Sequence, residues 1–144
     1  MPYPPLVTCL TEAEYQVHFE RMYCRGPINT FDGIAVRFNK RDFLHAFFES
    51  VYAKDDTFSI PRAERIEWIR ATLQDPDSDR YVGWDSSKKR YDNNRRVTVV
   101  KGDYVVVIAI KSNGSGRFIT AYVADSGRTI SMIRKSPKWA KKTR

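Results

Sequence analysis

Cysteine is scarce in this sequence of 144 residues, because Cys9 and Cys24 are the only two. Two cysteines are too few for a disulfide framework, and their spacing from the two histidines does not match a zinc site. We therefore expect a reducing, cytoplasmic environment and no bound metal or cofactor.

Long apolar runs are also lacking. No segment approaches the roughly 18 apolar residues that a membrane-spanning helix needs, and the first ten residues have no basic region followed by an apolar stretch. No glycine-rich phosphate loop, nucleophile elbow or cluster of acidic metal ligands occurs. These absences predict a protein that does not contact membranes, and they favour a metal-free mechanism if the protein is an enzyme.

Acidic residues are rare in the last two-fifths of the chain. The segment from Lys88 to Arg144 holds 15 of the 25 basic residues but only 3 of the 17 acidic ones, and the whole chain carries a net charge of +8. Such an uneven distribution indicates a polyanionic partner, most often a nucleic acid. A solvated basic surface with a basic tail is the alternative explanation.

Three segments in the first half predict helices, in a chain whose hydrophobic content of 42% is enough for one domain with a core. Thr11, followed by Glu14, matches a capping box and predicts a helix over residues 11–24. Asn39 is a possible N-cap for an aromatic-rich helix in NKRDFLHAFFESVY. A third helix is predicted over residues 61–74, because SIPRAERIEWIRATLQDP combines a capping serine, an early proline and a final Asp-Pro.

The second half predicts strands. A short strand in GIAVRF comes earlier, and a polar loop, DSDRYVGWDSSKKRYDNN, precedes four alternating segments joined by short turns: RRVTVV, YVVVIAI, RFITAYV and TISMIR. The run 104–110 is apolar on both faces and is expected to be central. The predicted fold class is therefore α+β, with N-terminal helices packed on one face of a C-terminal four-stranded antiparallel sheet.

The alternation of side chains assigns the two faces of this sheet. The predicted helix-covered face carries Val97, Val99, Ile119, Ala121 and Val123. The opposite face, predicted to be open, carries Arg96, Thr98, Thr120 and Tyr122. Cations, hydroxyls and aromatic rings on one open face suit a phosphodiester and its bases, although an ordinary solvated sheet face has a similar composition.

Two arginines and one histidine on the predicted helices are further candidates. Arg62 and Arg65 lie on or beside an apolar stripe, so each either extends past the sheet rim into solvent or points into a cleft and contacts phosphate. His45 lies opposite Phe43 and Phe47 on its helix. It is therefore either exposed without a role or a proton-transfer group that faces a cleft.

The order of FLHAFFES, RAERIEWIRATLQDP, a strand pair, GRFITAYV and a final SPKW resembles phage and bacterial domains of the barnase–EndoU–colicin–RelE nuclease superfamily. The likeness covers residues 34–139 of a single domain over 1–144, with a basic tail at 136–144. The resemblance implies helices followed by a four-stranded antiparallel sheet. It also implies RNA cleavage without a metal, often by toxins that an antitoxin or immunity protein restrains, and we expect such a partner to be acidic.

The resemblance implies a site at His45, Arg65 and Thr120, with Arg96 and Lys138 as further matches. Since the second histidine lies outside the matching region, Tyr122 or Lys135 is expected to serve as the second proton-transfer group. The candidates for catalysis are His45, Arg65, Thr120 and Tyr122, and those for binding RNA phosphates are Arg62, Arg96, Lys135 and Lys138.

The expected function is a toxin-type, metal-independent endoribonuclease. A base removes the proton of a ribose 2′-hydroxyl, the oxygen attacks the adjacent phosphorus, and an acid protonates the departing 5′-oxygen, which leaves a 2′,3′-cyclic phosphate. Arginines stabilise the phosphoryl charge, and Thr120 orients one of them. The alternative is a non-catalytic RNA-binding module of a phage or toxin–antitoxin assembly.

Overall fold

The computed structural model describes residues 3–85, 90–91, 96–124 and 126–139. Its helices are α1 (Glu12–Tyr23), α2 (Asp42–Phe47), α3 (Ile60–Glu64), α4 (Trp68–Gln74) and α5 (Gly127–Arg134). Its strands are β1 (Ile28–Asn29), β2 (Ala35–Arg37), β3 (Phe48–Glu49), β4 (Thr57–Phe58), β5 (Asp79–Val82), β6 (Trp84–Asp85), β7 (Arg90–Tyr91), β8 (Arg96–Lys101), β9 (Tyr104–Ile110) and β10 (Gly116–Val123). The fold class is α+β.

The main sheet has six strands in the order β1-β2-β10-β9-β8-β5, rather than the four predicted. Its pairings are antiparallel except for β2 with β10, which run parallel. The run 104–110 forms β9, which lies between β8 and β10 as its apolar character predicted. Two further pairs, β3 with β4 and β6 with β7, form separate ladders.

Two segments were assigned wrongly from the sequence. TISMIR lies in α5, because the Ser126 side chain accepts the Thr129 main-chain N–H at 3.2 Å and caps a helix there. Ile130 and Ile133, three positions apart, then both pack on the sheet. The segment predicted as a polar loop contains β5, which pairs with β8 and places Tyr81 in the interior.

The predicted helix over 61–74 is broken into α3 and α4. The buried Tyr23 hydroxyl donates to the Ile66 carbonyl at 2.5 Å and accepts the Arg70 N–H at 3.1 Å. Those two main-chain groups would bond to each other in a continuous helix, so Tyr23 replaces one rung of the hydrogen-bond ladder. A side chain from α1 therefore compensates the break.

The helix predicted from Asn39 is shorter than expected and has a different start. Asn39 is not its N-cap; instead the Asn39 main-chain N–H donates to Asp42 Oδ2 at 2.9 Å. After α2, the chain turns into β3, because Phe48 and Glu49 pair with β4.

One face of the sheet and the helices α1 to α4 share a single aromatic-rich core. Its centre is Phe19, which is fully buried and whose ring lies 5.3–6.1 Å from those of four neighbours. Those neighbours are Tyr23, Phe38, Phe43 and Phe47. Val97, Val99 and Ala121 of the sheet join this core, as their alternation predicted.

The opposite face of the sheet, called the second face below, is not open along its whole length as predicted. Ile130 and Ile133 of α5 pack against a cluster that includes Val100, Val105 and, in part, Tyr122. Thr98 is only 9% exposed. Among the described residues, α5 leaves uncovered the end of the second face that carries Arg96.

A β-bulge in β10 changes the predicted face of two residues. The register shifts between Phe118, opposite Ile108, and Thr120, opposite Val107. Phe118 is thus 1% exposed and joins the core, whereas Ile119 lies outside the core cluster. Strict alternation puts Ile119 in the core and Phe118, an even-numbered residue like Thr120, on the open face, and a bulge reverses such an assignment.

Part of the predicted basic tail is docked on the sheet. The Val82 N–H donates to the Pro137 carbonyl at 2.8 Å, and the Trp139 N–H donates to the Arg80 carbonyl at 3.1 Å. The rest of the tail, 140–144, lies outside the described residues. Among the helices that the structure describes, none has the length and apolar character needed to cross a membrane.

Candidate functional site

A cleft of about 320 Å³ lies between α2 and the uncovered end of the second face. We call it the His45 cleft. The polar and small residues that line it are Asp42, His45, Lys54, Arg96, Ala109 and Arg117.

The floor of the His45 cleft is a row of residues in register across the three strands β8, β9 and β10. Arg96 lies opposite Ala109 on β9, and Ala109 lies opposite Arg117 on β10. Gly83 continues the row beyond Arg96, since its N–H donates to the Arg96 carbonyl at 2.9 Å. Because strands are about 4.8 Å apart, the two arginine backbones are about 10 Å apart with only a methyl group between them.

Gly83 keeps this floor accessible. A Cβ atom at position 83 would lie 2.6 Å from the Arg96 Cβ, which is closer than two carbon atoms can approach. Any larger residue would therefore displace Arg96 or its strand. Within the described part of the chain, Arg96, Arg117 and Lys54 make no ion pair, so their charges are available to an anion.

His45 is oriented by a carboxylate. Its Nδ1 lies 3.2 Å from Asp55 Oδ2, with the two side chains 40% and 22% exposed. A carboxylate only accepts hydrogen bonds, so Nδ1 carries the proton in this contact and Nε2 of the neutral ring retains its lone pair. Among the described residues Nε2 has no hydrogen-bond partner, which suits a general base.

The loop after β3 holds Asp55 in place. Asp55 has a left-handed backbone with φ of 52°, and its N–H donates to Ser50 Oγ at 2.9 Å. The neighbouring Asp56 carboxylate accepts the N–H groups of Val51, Tyr52 and Ala53 at 2.8–2.9 Å. These bonds lower the pKa of Asp56 to about 2. Asp56 therefore stays ionised, and its hydrogen bonds to the loop persist, until the pH falls to about 2.

Asp42 is a second titratable group in the His45 cleft. It is 1% exposed, and burial raises the pKa of its carboxyl, although the Asn39 N–H and the charges of His45 and Arg117 oppose that shift. A raised pKa favours the protonated form, which can donate a proton.

A second cavity, of about 250 Å³, lies between α3 and the end of β10. We call it the Arg62 cavity. The residues that give it its chemistry are Glu49, Ser59, Arg62, Arg65, Tyr104 and Tyr122.

Both arginines of the Arg62 cavity are held by main-chain carbonyls. Arg62 Nη1 donates to the Phe48 carbonyl at 3.1 Å, and Arg65 Nη1 donates to the Pro61 carbonyl at 2.6 Å. The Arg65 guanidinium also lies over the Trp68 ring, 5.0 Å from its centroid. Fixed guanidinium groups of this kind bind anions with little loss of side-chain entropy.

The structure divides the predicted catalytic residues between these two places. Thr120 Oγ1 donates to the His45 main-chain carbonyl at 2.9 Å, so the two residues are in contact although 75 positions separate them. Thr120 thereby anchors α2 to β10, and it does not line the His45 cleft. Arg65 and Tyr122 lie in the Arg62 cavity instead.

The predicted phosphate-binding residues are divided as well. Arg96 lines the His45 cleft and Arg62 the other cavity, whereas Lys135 and Lys138 line neither. Lys135 ends α5, and Lys138 forms a bridge with Tyr81 at the far edge of the sheet. Neither lysine can therefore act directly in the His45 cleft.

Several residues of the two sites were missed in the sequence. Asp42, Lys54, Asp55 and Arg117 belong to the His45 cleft, and Tyr104 belongs to the Arg62 cavity. Of these residues, Arg117 could have been found from the sequence. The three strands were predicted to pair, and the correct register between them places Arg117 on the same row as Arg96, two strands away. Among the described residues, no group of three or more His, Cys, Asp and Glu could hold a metal ion.

No family model, curated protein or solved structure matches this chain. These comparisons therefore do not identify the nuclease superfamily that the sequence motifs resemble. Function is inferred below from the side chains of the two sites.

Proposed function

We propose that this protein is a metal-independent endoribonuclease whose reaction takes place in the His45 cleft. The observation that carries the proposal is the combination of an imidazole oriented by Asp55 with two arginines on the floor of the same cleft that form no ion pair with a described residue. A positioned base and fixed cations are the two components that phosphodiester cleavage by an internal 2′-hydroxyl requires.

His45 Nε2 takes the proton of the ribose 2′-hydroxyl, and the 2′-oxygen forms a bond to the adjacent phosphorus. The bond from phosphorus to the 5′-oxygen breaks, and we assign the proton that this oxygen takes up to the carboxyl of Asp42, which lines the same cleft and whose pKa burial raises. The products are a 2′,3′-cyclic phosphate and a 5′-hydroxyl. Arg96 and Arg117 bind the non-bridging oxygens, whose negative charge increases in the transition state. Neither Tyr122 nor Lys135 is needed as the acid.

Incubation of the purified protein with RNA in excess EDTA tests this function. We expect fragments that end in a 2′,3′-cyclic phosphate, and no fragments from the same sequence made as DNA, which lacks the nucleophile. RNA that binds but remains intact would favour the alternative, a non-catalytic RNA-binding module, because the arginine row alone suffices for binding.

An acidic antitoxin or immunity protein is the proposed cellular partner. Complementary charge would give such a partner fast association with the cationic floor of the His45 cleft and would exclude RNA from it. Production of the wild-type chain alone in bacteria should then arrest growth. Harmless accumulation of active protein would contradict this proposal.

Asp55→Asn is expected to slow cleavage by about 10- to 100-fold. This decrease is larger than the effect of losing a partly exposed ion pair and smaller than that of losing the buried carboxylate of a catalytic triad. The asparagine amide can donate to Nδ1 and would favour the tautomer whose Nε2 is protonated and cannot act as a base. The measurement is kcat/KM on one RNA substrate. Asp77→Asn, an exposed change outside both sites, is the control and should retain the wild-type rate.

A further inference from the structure

The Arg62 cavity contains hydrogen-bond donors for which the described part of the chain supplies no acceptor. Tyr104 is 3% exposed and lines the cavity, yet no described residue hydrogen-bonds its hydroxyl. The hydroxyl of Tyr122, on the neighbouring strand, likewise has no described partner. Arg65 Nε is buried without a partner as well. An unsatisfied buried donor such as Arg65 Nε is costly, and together with the two phenol hydroxyls it favours a ligand that supplies acceptors.

The chemistry of these groups favours an anion with several oxygens. Guanidinium groups only donate, and burial raises the pKa of Tyr104 and of Tyr122, so both phenols remain protonated donors. Glu49 is the one carboxylate in the cavity. It is 51% exposed and lies 3.9 Å from Arg62 Nε, too far for a hydrogen bond. Glu49 can therefore move into solvent or accept a ligand hydroxyl.

The position of the cavity links it to the His45 cleft. Arg117 and Tyr122 are five residues apart on the same strand, a distance of about 16 Å. Thr120 lies between them and joins β10 to α2. A polyanion bound along β10 can therefore contact both places.

We propose that the Arg62 cavity binds a phosphate group of the RNA substrate at a position more than one nucleotide from the cleaved bond. This inference rests on the proposed ribonuclease activity for the identity of the polyanion. The phosphate accepts hydrogen bonds from Arg62, Arg65 and the Tyr104 and Tyr122 hydroxyls. The cavity volume of about 250 Å³ suits a phosphate with part of a sugar better than a larger ligand.

The first experiment titrates the full chain with inorganic phosphate and follows the side-chain NMR signals of Arg62, Arg65 and the two tyrosines. We expect these signals to shift at saturation. Arg62→Gln should weaken phosphate binding by about tenfold, and Tyr104→Phe, which keeps the ring, by about threefold or more. Arg70→Gln removes the same charge from an exposed position of α4 and should not change the dissociation constant.

The second experiment uses non-cleavable oligonucleotides with a 2′-deoxy substitution at the cleavage site, two or five nucleotides long. If the phosphate belongs to the RNA strand, Arg62→Gln lowers the affinity for the longer one at least fivefold more than that for the shorter one. An equal loss for both, or phosphate binding that Arg62→Gln and Tyr104→Phe leave unchanged, overturns the inference.

The two proposals fail in distinguishable ways. RNA cleavage without phosphate binding in the Arg62 cavity would retain the ribonuclease and reject the second site. Phosphate binding and the length-dependent effect of Arg62→Gln in a protein that cuts no RNA would retain the second site and reject catalysis.

Discussion

His45→Ala is expected to lower the rate of RNA cleavage by about 10²- to 10⁴-fold, the usual contribution of a general base. The substitution removes the lone pair at Nε2 that accepts the 2′-hydroxyl proton in the proposed mechanism. It leaves the bond from Thr120 to position 45 intact, because Thr120 donates to the main-chain carbonyl rather than to the imidazole. The loss should therefore appear in kcat with little change in the affinity for non-cleavable RNA.

His18→Ala provides a matched control for this variant. His18 is the other histidine of the chain, lies on α1 and faces Glu67 at 3.5 Å, outside both sites. Thermal unfolding should show similar stability for both variants, since removing a partly exposed side chain usually changes the free energy of unfolding by less than about 0.5 kcal/mol. Equal activity of the two variants would remove His45 from the mechanism and leave the arginines as binding groups.

The parts of the fold that local patterns could predict are those with strong start or periodicity signals. The Thr11 capping box is present as predicted, with Glu14 Oε1 accepting the Thr11 N–H at 2.9 Å. The strands β8, β9 and β10 also follow from alternation. The features that were predicted wrongly are those determined by contacts between residues far apart in the sequence. No local pattern shows that the Tyr23 hydroxyl will replace a bond between Ile66 and Arg70.

The candidate site was partly predictable for the same reason. Alternation placed Thr120 on the predicted open face, and the resemblance grouped it with His45. The bulge after Phe118 and the packing of α5 decide which part of the second face stays accessible. Asp55 could not be foreseen, because its contact with His45 depends on a loop whose shape is set by bonds to Ser50 and Asp56. Tertiary contacts, and not residue type, thus separate the His45 cleft from the Arg62 cavity.

The division of the site has a consequence for RNA binding. A single cationic face would let any arginine contribute equally to affinity. Two separate sites instead predict that arginines in the His45 cleft hold the phosphate that reacts, whereas those in the Arg62 cavity hold a phosphate more than one nucleotide away. Substitutions in the first group should affect substrates of every length.

Arg96→Gln combined with Arg117→Gln is expected to lower the affinity for a non-cleavable RNA by about 10²- to 10⁴-fold. A hydrogen bond to a charged group contributes about 1.5–3 kcal/mol, and each 1.4 kcal/mol corresponds to a factor of ten. Each phosphate contact also releases counterions, which adds about 0.7 to the slope of log affinity against log salt. Losing both contacts should therefore make that slope shallower by about 1.4.

The matched control is the double variant Arg70→Gln and Lys111→Gln. It removes the same net charge from two exposed positions that line neither site. Since charges on the surface act on a polyanion mainly through screened, long-range attraction, the control should lose much less affinity at physiological salt. Titrations at several salt concentrations measure both quantities. If both double variants change the affinity and the salt slope to the same extent, then the RNA is bound by the general positive charge of the protein and not specifically by Arg96 and Arg117.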